Sequence, residues 1–358
     1  MARLKLKSKH IGLIILLVVM AVIIAFVVLQ QNKKPHTDII GALGGEKTGL
    51  YENEELKKGL IKDFNLTMDY KKDGSFAMVQ GDVSEYDYLF PSSQLALEKF
   101  QKLGGNYVAQ DIVFNSPIVL YTRKAVADKF VEMKLLEKDA EGVFYIDMSA
   151  LAKIIAEGTS WESIDLDMLY GNVLVDTTDP NESNSGNMFL GLLANSLNNK
   201  QVVTNETLPN IIEDVKKIYQ QIGHMQTSSS DMFRQYLNQG LGAYPIIAGY
   251  ESQILEYSKQ RPEIYAKLKD DLVVMYPKPT VWASHVYIAL NEKGELGLEA
   301  LRSEAVQKTA WKDHGFRTIA AGTANPEEFS VNGIPSDIAT VMPMPNLDVM
   351  EKLMAAIK

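Results

Sequence analysis

The stretch Asp111-Ile-Val-Phe-Asn115-Ser116-Pro117-Ile-Val-Leu-Tyr121 consists of two apolar segments joined by Asn115-Ser116-Pro117. Its apolar residues run continuously instead of alternating with polar ones, which is typical of strands buried on both faces, as in parallel sheets. In both directions from this stretch, short apolar runs alternate with longer amphipathic runs. That alternation predicts an α/β fold.

The same patterns predict the other strands and helices of the chain. Strands are predicted at Asp38–Leu43, Asn65–Tyr70, Tyr86–Phe90, Asn172–Asp176, Ala243–Ala248, Leu272–Tyr276 and Ser284–Leu290. Helices are predicted at Tyr51–Phe64, from near Leu95, and at Asn187–Leu197, Leu208–Ile222, Asp231–Gln239, Leu296–Val306, Lys308–His314 and Val349–Ile357. The helix at Asn187–Leu197 is apolar on nearly all sides, which indicates that it is buried.

Two apolar strands, around Ile118–Tyr121 and Ala243–Tyr250, bracket the middle of the chain. If each strand crosses between lobes, residues 122–245 form lobe II, and residues 35–121 together with 246–358 form lobe I. The pattern then predicts a hinged two-lobe clamp, which closes over a ligand by rotation at the crossings.

The first 34 residues contain six Lys or Arg residues, no acidic residue, and an uncharged apolar run from Ile11 to Leu29. A helix of about 19 residues reaches roughly 28 Å, close to the hydrocarbon thickness of a bilayer. No small-residue cleavage site follows the run, so residues 1–34 are predicted to be a cytoplasmic basic head and one uncleaved transmembrane helix. A cleaved signal peptide is the alternative. In either case most of the chain is predicted to be extracytoplasmic.

Charge and cysteine content limit the partners and the compartment. Outside residues 1–34 the chain has 30 basic and 45 acidic residues, a formal charge of −15. Such a domain repels nucleic acid, so no nucleic-acid partner is predicted. The chain has no cysteine, so neither disulfides nor a lipid-modified cysteine can form. An exported domain without disulfides is typical of the bacterial cell envelope.

Small polar residues follow several predicted strands, where α/β proteins bind ligands. Predicted ligand-binding residues are Lys47, Gly74, Ser75, Ser92, Ser93, Ser116, Ser183, Ser185, Gly186, Tyr250 and Glu251. Hydroxyl groups around a helix N-terminus, such as the one after Ser183, suit an oxyanion or a carboxylate. Plain helix capping or turn formation is the alternative for the serines and glycines, and core packing is the alternative for Tyr250.

The sequence does not contain the signatures of common catalytic and metal sites. It has no G-x-S-x-G elbow, no H-E-x-x-H zinc motif and no Walker loop. His224 and His314 are best explained as helix-end residues, and His285 lies in an apolar stretch. We therefore predict no catalytic residue, no cofactor and no metal.

The chain resembles the type II periplasmic-binding-protein superfamily, the extracellular solute-binding proteins of bacterial ABC importers. The resemblance rests on an ordered set of segments: Gly74-Ser75, Tyr86 to Ser93, Asn115 to Leu120, Asp179-Pro180 with Ser183 to Gly186, and Gly249 to Ser252. It implies two α/β lobes that bind one small solute between them. The serine-rich strand ends are most similar to the oxyanion binders, which would make Ser75, Ser92, Ser116 and Ser185 donors to the ligand.

The sequence thus predicts a membrane-tethered solute-binding protein, not an enzyme, that takes a small anionic or polar solute. The expected partners are that solute, the membrane through the N-terminal helix, and a permease or another envelope protein. A tethered sensor or assembly partner that uses the same fold without transport is the alternative. A hydrolase is disfavoured because no histidine base is placed near a serine.

Overall fold

The computed structural model of the chain describes residues 17–21, 35–318, 325–338 and 340–358. The predicted membrane anchor lies outside these ranges except for residues 17–21, which are helical. No helix within these ranges is long and apolar enough to cross a membrane. The anchor therefore stays a prediction.

Within the described ranges, nine strands form one sheet in the order β2-β1-β3-β9-β4-β8-β6-β5, with β7 also paired to β4. Their bounds are β1 Thr37–Leu43, β2 Leu66–Lys72, β3 Tyr88–Phe90, β4 Ala109–Arg123, β5 Leu136–Lys138, β6 Phe144–Ile146, β7 Ile246–Tyr250, β8 Leu272–Pro277 and β9 Trp282–Ala289.

Strand β4 connects two halves of this sheet. Its first part pairs with β9, and its second part, from Ile118, pairs with β7 and β8. We call the part built on β1, β2, β3, β9 and the first part of β4 lobe I, and the part built on β5 to β8 and the second part of β4 lobe II. The stretch that was expected to be two segments is therefore one strand, in which Pro117 lies where the partners change.

The strand β4 is buried along nearly its whole second part, yet its partners β7, β8 and β9 all run antiparallel to it. The parallel pairing expected for this stretch is wrong. Its continuous apolar character instead reflects burial on both faces by helices of the two lobes. Parallel pairing occurs elsewhere, between β1 and both β2 and β3, and between β6 and β8.

Helices cover the sheet on both sides. Their bounds are α1 Thr48–Glu52, α2 Glu54–Gly59, α3 Ala77–Gln80, α4 Gln94–Lys102, α5 Lys124–Glu132, α6 Met148–Ala156, α7 Asn184–Leu197, α8 Ile212–Ile222, α9 Ser229–Gln239, α10 Glu251–Gln260, α11 Pro262–Leu268, α12 Glu292–Leu301, α13 Glu304–His314 and α14 Leu347–Ala356. Short 3₁₀ turns lie at Gly45–Lys47, Glu162–Ile164, Leu208–Asn210 and Pro326–Glu328, and a π-helical turn at Leu60–Phe64.

Helix α7 is buried along almost its whole length and lies in the core of lobe II, as its apolar sequence predicts. Its core partners include Ile118 and Leu120 of β4, so the strand that joins the lobes also anchors this helix. Because apolar residues of lobe I, Phe76 and Leu95, belong to the same cluster, the two lobes are packed against each other. The N-terminus of α7 is thereby held at the lobe interface.

Local capping explains where several predicted elements break. Asn53 accepts hydrogen bonds from the backbone of Glu55 and Leu56, which starts α2 and divides the helix expected at Tyr51–Phe64. Ser303 caps α13 in the same way, so the helix expected at Leu296–Val306 is also interrupted.

The strand expected at Asn172–Asp176 forms only isolated bridges, one between Ser160 and Asn172 and one between Asp176 and Ile247.

The lobe boundaries expected at residues 121/122 and 245/246 stay a prediction. The observed pairing favours a later return of the chain to lobe I, because β7 and β8 both bond to the second part of β4. The next strand that pairs with lobe I is β9, which begins at Trp282.

Candidate functional site

Four segments meet at the lobe interface. They are the turn Gly45–Lys47 after β1, the loop after β3 with Ser92, the N-terminus of α7 at Asn184, and Tyr250 at the end of β7. The first two belong to lobe I and the last two to lobe II. This is the arrangement in which open α/β sheets hold ligands.

Lys47 is the central cation of this site, and its side chain is fully buried. Its Nζ donates hydrogen bonds to Glu46 Oε1 at 2.5 Å, to Ser92 Oγ at 2.5 Å and to His285 Nδ1 at 3.1 Å. It also lies 4.8 Å from the ring centre of Phe90. Burial lowers the pKa of Lys47, and the neighbouring Glu46 carboxylate opposes that shift.

Glu46 supplies the negative charge of the site. Its side chain is 6% exposed, and its Oε1 accepts hydrogen bonds from Lys47 Nζ and from Ser92 Oγ. Burial raises the pKa of this carboxyl group, but the charge of Lys47 and the hydrogen bonds outweigh it and lower the pKa to about 2. Glu46 is therefore ionised at neutral pH, and with Lys47 it forms a buried ion pair.

His285 lies on β9 against the same ion pair. Because an ammonium group only donates, His285 Nδ1 must accept from Lys47, so the ring proton is on Nε2. His285 Nε2 is buried and has no partner among the described residues. Burial and the charge of Lys47 lower the pKa of His285 well below its usual value. The imidazole is therefore neutral.

Asn184 joins the lobes at this point. Its Nδ2 donates to the Ser92 backbone oxygen at 2.8 Å and to the Tyr250 hydroxyl at 3.0 Å. Ser75 supports the same loop, since its Oγ accepts a hydrogen bond from the Ser92 amide at 2.9 Å. The Oδ1 of Asn184 is buried without a partner in the described part of the chain. Asn184 thus bridges the two lobes, and we call this interface around Lys47, Ser92, Asn184 and Tyr250 the closed cleft.

The predicted glycines lie at close backbone approaches. A Cβ on Gly74 would lie 2.2 Å from the backbone oxygen of Glu182, which belongs to lobe II. A Cβ on Gly186 would lie 2.0 Å from the Thr178 backbone oxygen, within lobe II. Gly74 therefore permits the lobes to meet, whereas Gly186 permits the first turn of α7 to pack on its own loop.

Ser183 and Ser185 form a hydroxyl cluster with Thr178 at the start of α7. Ser185 Oγ lies 2.7 Å from Thr178 Oγ1 and 3.3 Å from Ser183 Oγ. All three residues belong to lobe II, and Ser183 and Ser185 flank Asn184 in the sequence.

Three other predicted residues make contacts away from the Lys47 cluster, which comprises Glu46, Lys47, Ser92 and His285. Ser93 caps α4 by accepting from the Leu95 amide at 3.2 Å. Ser116 accepts from the Ser252 amide at 3.3 Å, at the start of α10. Glu251 is held by a two-point ion pair with Arg317 at 2.7 and 2.8 Å and by the Tyr276 hydroxyl at 2.6 Å. None of these contacts points to a ligand.

A groove of about 370 Å³ lies beside the turn that carries Glu46. Its lining includes Gly45, Glu46 and Lys72 from lobe I and Ser230 and Arg234 from lobe II. Lys72 Nζ crosses to lobe II, where it donates to Ser228 Oγ at 3.0 Å.

Sequence reasoning missed Glu46, Asn184 and His285 as members of the site. Glu46 stands directly before the predicted Lys47, so its position in the same turn was a usable signal. Asn184 lies inside the predicted Ser183–Gly186 segment and was available in the same way. His285 reaches the site only through the pairing of β9 with β4, which no local pattern shows.

Comparison with known proteins identifies the family. Residues 29–335 match the bacterial extracellular solute-binding proteins. No curated protein matches the chain significantly.

Solved structures of the same architecture cover most of the chain. A periplasmic thiamin binding protein is 13% identical, covers 91% of this chain and 98% of its own length, and superposes with a TM-score of 0.60. The sulfate-binding protein SubI from Mycobacterium tuberculosis is 14% identical, with coverages of 90% and 96% and a TM-score of 0.54. AfuA from Actinobacillus pleuropneumoniae, with bound fructose-6-phosphate, is 12% identical, with coverages of 90% and 97% and a TM-score of 0.55.

These likenesses, together with the observed topology, confirm the predicted two-lobe α/β clamp. The family match extends over both lobes and over every segment that meets at Lys47. The chain therefore belongs to the family of bacterial extracellular solute-binding proteins.

Proposed function

We propose that this protein captures a small anionic or polar solute between its lobes and delivers it to an ABC-type permease in the membrane. Family membership supports solute capture. The observation that carries the ligand class is Lys47, a fully buried cation whose Nζ lies 2.5 Å from Ser92 Oγ at the lobe interface. A buried cation requires an anionic partner. Glu46 is that partner in this structure, and a solute anion can take its place.

The chemistry of the site fits an oxyanion with one further polar group. Lys47 Nζ and Ser92 Oγ can both donate to an acid oxygen, and charge-assisted hydrogen bonds of this kind are among the stronger ones. The unpartnered Oδ1 of Asn184 would accept from a hydroxyl or an amine of the solute. Two structural neighbours are described with anionic ligands: SubI is named a sulfate-binding protein, and AfuA has fructose-6-phosphate bound.

The geometry supports binding rather than catalysis. His285 Nδ1 accepts from Lys47, and therefore the imidazole is not placed to take a proton from Ser92. A serine nucleophile needs a base within hydrogen-bond reach. Lys47 and Glu46 do lie within reach of Ser92 Oγ, but the Lys47 ammonium only donates, and Glu46, with a pKa of about 2, is a weak proton acceptor. We accordingly propose that no covalent chemistry takes place in the cleft.

The tether to the membrane is part of the proposal and rests on the apolar run Ile11–Leu29. Full-length protein expressed in a bacterium should remain with the membrane fraction after alkaline carbonate washing, with its bulk open to external protease. Recovery of a shortened protein in the soluble fraction would show that the segment is a cleaved signal peptide.

A thermal-melting screen tests solute capture. The detergent-solubilised full-length chain is melted with a panel of oxyanions, organic acids and polar solutes at constant ionic strength. A ligand at 100 times its Kd stabilises the folded state by about 2.7 kcal/mol, which is readily measured. At least one compound should raise the melting temperature of the wild type, and Ser92→Ala should lower that response.

A second candidate function is a tethered sensor or assembly partner. It is favoured by one observation, namely that Glu46 and Lys47 already fill the closed cleft with a complete ion pair. If no compound in the screen shifts melting while a membrane protein co-purifies through the outer surface, this second function replaces the first.

A further inference from the structure

We infer that Glu46 is a built-in competitor for the solute: its carboxylate occupies the anion position of the closed cleft, and an anionic solute binds by displacing it. This inference rests on the proposed function and names the residue that regulates the site.

Glu46 uses the two hydrogen-bond donors that a solute anion would need. Glu46 Oε1 accepts from Lys47 Nζ at 2.5 Å and from Ser92 Oγ. These are the same two donors that the proposed function assigns to the solute anion. A carboxylate from the chain and a carboxylate or oxyanion from a solute cannot both use them at close range.

The ion pair of Glu46 and Lys47 is enclosed by protein. The Lys47 side chain is fully buried and that of Glu46 is 6% exposed, so water cannot replace either partner. His285 Nδ1 lies 3.7 Å from Glu46 Oε1 and is neutral, so it contributes no second positive charge. One cation therefore faces one carboxylate, and a second anion in the same space would be uncompensated.

Glu46 is also placed so that its side chain can move away from Lys47. It lies in the 3₁₀ turn Gly45–Lys47, directly after two glycines, Gly44 and Gly45, and glycine has the least restricted backbone of any residue. The groove of about 370 Å³ begins at this turn, and the cation Lys72 lies against Gly45. A displaced carboxylate would thus move towards open space beside Lys72, a cation that also pairs with Asp231 at 3.6 Å.

Direct titration of the full-length chain with inorganic phosphate and with sulfate, by calorimetry at constant ionic strength, tests the inference. Glu46→Gln removes the competing charge and keeps the side-chain shape. We expect it to bind at least one of the two anions at least tenfold more tightly than the wild type does. Glu304→Gln makes the same charge change in a surface pair with Lys308 and should bind as the wild type does.

A second variant separates competition from a general charge effect. Glu46→Asp keeps the charge but shortens the side chain by one methylene, so the carboxylate no longer reaches both Lys47 and Ser92. We expect anion affinity between those of the wild type and Glu46→Gln. Because Glu46→Asp retains the counter-ion of Lys47, it also provides a folded variant if Glu46→Gln is unstable.

The melting screen and the affinities of the Glu46 variants together distinguish failure of this inference from failure of the proposed function. If the wild type responds to a solute in the melting screen but neither Glu46 variant gains affinity for phosphate or sulfate, the inference is overturned and solute binding stands. If the Glu46 variants gain affinity in parallel with Glu304→Gln, the effect is long-range charge and the inference is again overturned.

Discussion

Ser92 and Ser93 are neighbours in the chain but have different partners. Ser92 Oγ lies in the Lys47 cluster, whereas Ser93 Oγ caps α4. Ser92→Ala should weaken solute binding by roughly ten- to a hundredfold, since a hydrogen bond to a charged group contributes about 1.5–3 kcal/mol. Ser93→Ala should instead lower the free energy of unfolding by about 1 kcal/mol, the usual effect of losing an N-cap.

Calorimetric titration and denaturant unfolding of both variants measure these two effects separately. Equal loss of affinity in Ser92→Ala and Ser93→Ala would contradict the assignment of Ser92 to the site.

Glu46 also determines how stability depends on pH. Its pKa in the folded chain is about 2, below the usual value of 4.5, so the unfolded chain binds a proton first as the pH falls. The stability that Glu46 contributes is therefore present above pH 4.5 and is lost as the pH falls from 4.5 towards 2. Between pH 5 and 3 the free energy of unfolding should fall more steeply for the wild type than for Glu46→Gln.

Denaturant unfolding at a series of pH values measures the two slopes. The comparison concerns the slopes alone, because Glu46→Gln leaves Lys47 without its counter-ion and is less stable at every pH. Parallel slopes would mean that Glu46 does not remain ionised in the closed cleft.

At the scale of elements, the loop after β2 controls how closely the lobes approach. In Gly74→Ala the new methyl group would meet the Glu182 backbone oxygen of the other lobe at 2.2 Å. The cleft should then stay partly open, with a larger radius of gyration by X-ray scattering in the presence of solute and at least tenfold weaker binding.

Gly59→Ala is the matched control for this substitution. Gly59 is helical, and nothing in the described structure lies within 4 Å of its added Cβ. It should bind normally and gain about 0.4–1 kcal/mol of stability. Unchanged compactness and affinity in Gly74→Ala would show that Gly74 does not limit closure.

The elements also show what local sequence reveals. The strand at Asp38–Leu43 and the buried helix after Gly186 could be predicted, because apolar periodicity and burial are local properties. The partners of β4 could not, since burial on both faces is the same in a parallel and an antiparallel sheet. Ser92 could likewise be predicted as a site residue, because its place at the end of a strand is a local property. Its link to His285 through Lys47 could not, because that link depends on long-range strand pairing.

Across the chain as a whole, helix α14 connects the two lobes, because it contacts both of them. It packs on α7 and α8 of lobe II, and Glu351 bonds Lys99 Nζ at 2.6 Å and Lys102 Nζ at 2.8 Å on α4 of lobe I. Exposed ion pairs each contribute about 0.2–1 kcal/mol. Glu351→Gln removes both pairs and should therefore weaken solute binding about two- to thirtyfold.

The dependence on salt checks that assignment. The difference in affinity between the wild type and Glu351→Gln should shrink when the salt concentration is raised from 0.05 to about 1 M, where charges are screened within about 3 Å. Glu304→Gln, whose pair with Lys308 lies within one helix, should show no such difference. A loss of affinity that persists at high salt would indicate a packing role instead.

The capture of a solute between the lobes is tested most directly by a crystal structure of the full-length chain with the compound that gives the largest melting shift. We expect the acid group of the compound to lie within hydrogen-bond distance of Lys47 Nζ and Ser92 Oγ. The Glu46 carboxylate should be turned towards the groove that Lys72 lines. A compound bound outside the lobe interface, with the contacts of Lys47 unchanged, would contradict solute capture in this cleft.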